Sequence, residues 1–129
     1  MSHQRIPSGK PLESIIGYSR AVRAGSHVYI AGTTGELSPD HDDAPGDAYA
    51  QAIHALQIIE TALTEAGASV ADVVRTRVFL TNIEDTEAVG RAHYEFFGTT
   101  LPASAFIGVA SLIGSDAVVE IEADAVISG

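Results

Sequence analysis

The chain has 129 residues, a formal net charge of −10, and 46% hydrophobic residues. That length and apolar fraction suit one core, and so one domain over residues 1–129. The acidic balance disfavours nucleic-acid binding and adhesion to anionic membranes, and the absence of cysteine excludes disulfides, thiolate catalysis and zinc–thiolate sites. Met1-Ser2-His3-Gln4-Arg5 leads into a polar stretch without an apolar h-region. No apolar run approaches the roughly 20 residues of a membrane span. These features fit a cytoplasmic protein. Ser8-Gly9-Lys10 matches no motif and reads as part of a flexible terminus.

Ser19 to Ala24 and Val28 to Thr33 are short β-prone segments joined by Gly25-Ser26, which predicts a hairpin. Glu36 to Gly46 is polar and acidic, with Pro39, Pro45 and Gly46, and reads as a loop. Asp47 is a candidate N-cap for a helix over Ala48–Ala66. There Ala52, Leu56, Ile59 and Leu63 recur at helical steps, and Gly67 ends the helix. Val73 to Leu80 alternates as a strand. Val74, Thr76, Val78 and Leu80 are predicted on one face, and Arg75, Arg77 and Phe79 on the other. Thr86 to Phe97 is a second helix ended by Gly98, and Ala105–Ser111 and Ala117–Ile127 are the final strands.

The order β-β-α-β-α-β-β predicts an α+β fold whose two helices cover one face of a sheet. In the last strand Glu120, Glu122 and Asp124 share one side, and Val119, Ile121, Ala123 and Ala125 the other. Three acids would be costly on a buried monomer face. They suit an interface or a wet channel, met by Arg75 and Arg77.

Glu120 is the sharpest catalytic candidate. A carboxylate in an apolar strand can be desolvated into a proton-transfer group, although structural ion pairs also place acids there. Tyr18, at a turn-to-strand junction, could cover a ligand or simply pack. Asp40-His41-Asp42-Asp43 lacks the spacing of a calcium loop and reads as solvated, so no metal is expected. His54 and His93 belong to no zinc motif and read as packed or solvated histidines. Neither a Gly-x-Ser-x-Gly elbow nor a phosphate-cradling loop occurs.

Gly17-Tyr18-Ser19-Arg20-Ala21-Val22, Ala31-Gly32-Thr33, Val78-Phe79-Leu80-Thr81, Glu95-Phe96-Phe97, Leu101-Pro102-Ala103-Ser104 and Val119-Glu120-Ile121-Glu122-Ala123 stand in a specific order and spacing. From about Gly17 to Val126 the chain resembles the Rid family (YjgF/RidA/L-PSP). The resemblance implies a chorismate-mutase-like α+β fold and a homotrimer, with three sheets forming a central barrel and sites in clefts between subunits. It also implies a small-molecule substrate and hydrolysis of an enamine or imine to a keto acid and ammonia, with neither metal nor organic cofactor.

Glu120, at the position of the family glutamate that orients water, is the catalytic residue the resemblance implies, and Tyr18 carries over beside it. Three positions depart. Ser104 replaces the arginine that grips a substrate carboxylate, Gly90 replaces a helix asparagine, and Ala31 replaces a serine. Losing one partner of a desolvated charge pair costs about 2–5 kcal/mol, so 2-aminoacrylate-type hydrolysis should be weak or absent unless another cation substitutes. Arg20 stands where the family has glutamine. It is a candidate replacement cation, its plainer reading being a surface arginine. Three readings follow: a deaminase with a different anchor, a diverged enzyme of the same fold acting on a neutral or larger metabolite with Glu120 still the acid/base, and a non-catalytic small-molecule-binding or interaction trimer.

Overall fold

The computed structural model describes residues 2–128. Its strands are β1 (Gln4–Ile6), β2 (Ala21–Ala24), β3 (His27–Thr34), β4 (Val73–Leu80), β5 (Ala103–Gly108) and β6 (Val119–Val126). Its helices are α1 (Leu12–Ile16), α2 (Ala48–Glu65) and α3 (Thr86–Phe97). One sheet runs in the order β1-β2-β3-β6-β4-β5. Its pairs are antiparallel except β4 and β5. A parallel pair needs a crossover, and α3 supplies it.

The mixed α+β architecture follows the predicted order, with α2 and α3 packed on one sheet face. Asp47 caps α2 by accepting from the Ala50 amide at 2.8 Å. Leu56, Ile59 and Leu63 of α2 share one buried core with Val28, Ile30 and Ile121, and Val89 and Phe97 of α3 join it with Val78 and Leu80. Gly35 lets the end of β3 approach α2, because a Cβ there would strike the Gln51 backbone carbonyl and the Ala55 amide. Gln51 is fully buried. Its amide nitrogen donates to the Pro45 and Asp116 carbonyls at 2.7 and 2.6 Å, and its side-chain oxygen accepts from the Val118 amide at 3.0 Å. One side chain thus ties both long loops to α2, immediately before the strand that carries Glu120.

Four expectations need correction. The amino-terminal segment contains β1 and α1, and Ser8-Gly9-Lys10 is tied down rather than free: the Ser8 amide donates to the Glu13 carboxylate, and the Lys10 amide to Ser8 Oγ at 3.1 Å. Val74 leaves the Thr76 face. The register slips between Val73 and Arg75, so Val73 is buried and Val74 is 49% exposed, as a β-bulge requires. The fifth strand begins at Ala103 and ends at Gly108, rather than spanning Ala105–Ser111. Arg20 is not a surface residue, being 5% exposed.

Candidate active site

The second face of the sheet holds a pocket of about 380 Å³. Glu120 lies on its floor, Ala31 and Gly32 come from β3, Tyr18 and Arg20 from the segment entering β2, and Lys10 and Leu12 from the amino-terminal turn. Local backbone explains the packing. Thr34 pairs with Glu120 across the β3–β6 ladder, and a bulge between Ile30 and Thr33 swings Gly32 beneath the carboxylate. A Cβ at Gly32 would stand 2.9 Å from the Glu120 carboxyl carbon and one oxygen. Glycine there makes room for the acid.

Arg20 builds the floor. Its Nη1 donates to the Gly32 carbonyl at 2.9 Å and to Thr33 Oγ1 at 2.8 Å, and its guanidinium lies 5.8 Å from the Tyr18 ring centroid. Burial pushes the half-buried Glu120 carboxyl above its ordinary range, and Glu122 and Glu36 push the same way, while Arg20 and Lys10 oppose. Among the acids of β6, Glu122 and Asp124 share Arg77, at 3.5 and 3.7 Å. Arg75, the other expected partner, forms no ion pair among the described residues.

Ser104 and Gly90 lie elsewhere. Ser104 pairs in register with Thr76, whose side chain is on the helix-covered face. The Thr76 hydroxyl lies 2.7 Å from Ser104 Oγ and 2.8 Å from His93 Nε2, and Ser104 also donates to the Pro102 carbonyl at 3.1 Å. Gly90 and His93 line a separate cleft with Phe97 and Phe106. Burial holds the His93 imidazole below its ordinary pKa. The six candidate positions therefore form two groups within one chain: Tyr18, Ala31 and Glu120 on the open face together with Arg20, which also borders α2, and Gly90 and Ser104 on the other face.

Sequence reasoning missed Lys10 and His93. Nothing local marks Lys10, because α1 brings it to the pocket. His93 becomes visible only once parallel pairing sets Ser104 against Thr76. Its packing is as expected, with Phe97 and Phe106 centroids at 4.7 and 5.6 Å. His54 places Nδ1 3.2 Å from the Gly35 carbonyl, and His41 stands 3.6 Å from Asp43 in the acidic loop.

The open face of the α+β sheet thus gathers a half-buried carboxylate, two cations and a tyrosine around one pocket. The family model described as Endoribonuclease L-PSP matches residues 8–127. The chain belongs to this family, known also as the Rid or YjgF family. It is 38% identical to an uncharacterised Streptomyces coelicolor protein, over 95% of this chain and 90% of that one. It is 34% identical to a 2-iminobutanoate/2-iminopropanoate deaminase of Dermatophagoides farinae, over 98% of this chain and 99% of that one. The crystal structure of Mycobacterium tuberculosis Rv2704, a member of the YjgF/YER057c/UK114 family, matches with a TM-score of 0.88 at 44% identity, covering 98% of this chain and 100% of that chain.

Proposed function

We propose that this protein is a cytoplasmic homotrimeric hydrolase that converts an enamine or imine to a carbonyl compound and ammonia. The observation that carries the proposal is Glu120, a half-buried carboxylate seated over Gly32 with Arg20 and Lys10 beside it. Water adds to the imine carbon while Glu120 takes its proton. Glu120 then returns that proton to the nitrogen, giving a carbinolamine, and next takes the hydroxyl proton and passes it to the same nitrogen as the carbonyl forms, the carbon–nitrogen bond breaks and ammonia leaves. A carboxyl raised toward working pH suits both halves of this exchange. Arg20 keeps the floor in place and limits the rise of the Glu120 carboxyl's pKa, and Tyr18 covers the pocket.

The separation of the two groups supports the trimer. Ser104 and Gly90 can reach a Glu120 only on a neighbouring copy, across clefts that closed three-fold symmetry repeats. The open face, with Tyr29 48% exposed beside half-buried acids, is a surface such an assembly covers. The ribonuclease activity named by the family model is disfavoured by the charge of −10, since RNA affinity comes largely from phosphate neutralisation.

Ammonia release from freshly generated 2-aminoacrylate and from uncharged imines, by wild type and Ser104→Arg, tests the reading. Expected is slow turnover of 2-aminoacrylate, faster in Ser104→Arg, and better turnover of uncharged imines. No turnover of any imine by either protein would sink it. A sedimentation mass near one or two chains would remove the trimer.

A further inference from the structure

Arg20 is a buried cation without an ion-pair partner. It is 5% exposed, and no carboxylate lies within ion-pair distance of it among the described residues. A guanidinium keeps its charge at any working pH, and buried charges are ordinarily paired. Only Nη1 is used, by the Gly32 carbonyl and Thr33 Oγ1. Nε and Nη2 have no protein partner among the described residues. Neither is sealed in, because no fully buried side-chain nitrogen there lacks a partner. This edge of the guanidinium opens onto a pocket rather than onto protein.

Thr33 shows which pocket. It stands in register with Ile121, a core residue, so its hydroxyl is on the helix-covered side of the sheet. A guanidinium that donates to it has passed toward α2, with the Tyr18 ring centroid 5.8 Å away on the open-face side. A second pocket, of about 370 Å³, lies there with Arg20 on its border. Ile58 and Ala62 form one row of its α2 wall, and Thr61 and Glu65 the next, each pair four residues apart along the helix. Ile6 and Pro7, at the end of β1, form the opposite wall.

A buried cation between apolar walls suits an anion with an apolar tail. The Nε–Nη2 edge is a planar fork that matches a carboxylate. Glu65, exposed at the rim, repels a dianionic phosphate more than a singly charged group. With a formal net charge of −10 the chain has no general attraction for anions, so binding depends on this local partner. We infer that the pocket between α2 and β1 binds a small monocarboxylate, its carboxylate on the free edge of Arg20 and its short apolar tail between Ile6 and Ile58. The inference is independent of the proposed hydrolysis, since occupancy of this pocket needs no chemistry at Glu120.

Butyrate and butyramide, alike in shape and different in charge, are the probes. Each is titrated into the full-length protein at neutral pH and constant ionic strength while methyl signals are followed by NMR. Expected is a butyrate-dependent shift of Ile6 and Ile58, with Leu12 and Ile113, which line the Glu120 pocket, unmoved. Butyramide should bind about tenfold or more weakly, the worth of hydrogen bonds to a charged group. Acetate should bind about three- to tenfold more weakly than butyrate, having lost two methylenes. Arg20→Gln should weaken butyrate about tenfold or more. Thr61→Phe, at an exposed position on the α2 wall, should fill the pocket and abolish the shift. Glu65→Gln should tighten butyrate about twofold, as removal of one exposed like charge does. Equal binding of butyrate and butyramide, an undiminished shift in Thr61→Phe, or no shift in wild type would each overturn the site. A shift of Leu12 and Ile113 alone, or loss of binding in Glu120→Gln, would place the anion in the Glu120 pocket and overturn it too. Butyrate binding by a protein that hydrolyses no imine would refute the hydrolase alone, and imine hydrolysis without butyrate binding would refute the anion site alone.

Discussion

The Glu120 pocket and the His93 cleft lie on opposite faces of one sheet, and burial acts on both. It raises the Glu120 carboxyl and lowers the His93 imidazole. The signs differ because burial disfavours whichever form is charged. What separates the regions is compensation. Lys10 and Arg20 hold part of the Glu120 charge in place, whereas hydroxyls and aromatic rings surround His93. The molecule compensates charge around Glu120 and leaves the surroundings of His93 neutral.

The comparison breaks most visibly at Glu120. Glu120→Gln should lower the turnover of whichever imine proves active by about 10²–10⁴-fold, the usual contribution of a positioned acid–base group. An ammonia-release assay with near wild-type turnover would remove Glu120 from the chemistry. Next comes the alternation of β6 itself. Ile121→Ala should cost about 2–5 kcal/mol, since its side chain is fully buried. Glu122→Ala, one residue away on the open face and paired to Arg77 while about a third exposed, should cost less than about 1 kcal/mol. Denaturant unfolding at fixed protein concentration measures both, and equal costs would mean that the open face is as tightly packed as the core.

Stability against pH sharpens the contrast. Glu120 has a raised folded pKa, so its stabilising contribution is full below its ordinary 4.5 and is lost as pH rises through the folded value. Glu120→Gln removes that loss and should be the more stable protein at neutral pH. His93 has a lowered folded pKa, so its contribution is full above 6.5 and is lost as pH falls through the folded value. His93→Gln should flatten that acid limb. Thermal melts across pH 4–8 in both variants check the signs, and a His93 ring that titrates above 6.5 by NMR would contradict the second. The smallest effect is at Gly90. Gly90→Ala should raise stability by about 0.5–1 kcal/mol, because alanine is the better helix former and its Cβ meets nothing. A loss, in the same unfolding assay, would mean that helix packing requires the glycine.

Much of this contrast was legible before the structure. The α2 helix was announced by Leu56, Ile59 and Leu63 at helical steps, and Glu120 by its place among alternating apolar residues. β1 was not, because three residues with polar Gln4 and Arg5 carry no period. Val74 was misplaced because counting by twos assumes a strand without a bulge. The cluster of Ser104, Thr76 and His93 could not be foreseen, since the register of a parallel pair depends on how α3 crosses over. Gln51 was hidden for a related reason: its three partners lie in loops that only tertiary structure brings to α2.

The β5 strand at the end of the sheet has a consequence for handling the protein. It is mostly exposed along Ala103–Gly108, and β4 is its one neighbour in the sheet. Its outer edge therefore presents backbone groups without a strand partner, and Ile107 is 38% exposed beside them. Open edges of this kind template aggregation. An assembly that covered this edge would uncover it on dilution, before any core residue is disturbed. Turbidity on mild warming should then rise ahead of the loss of helical signal, and buffer choice should be guided by the assembly rather than by the fold.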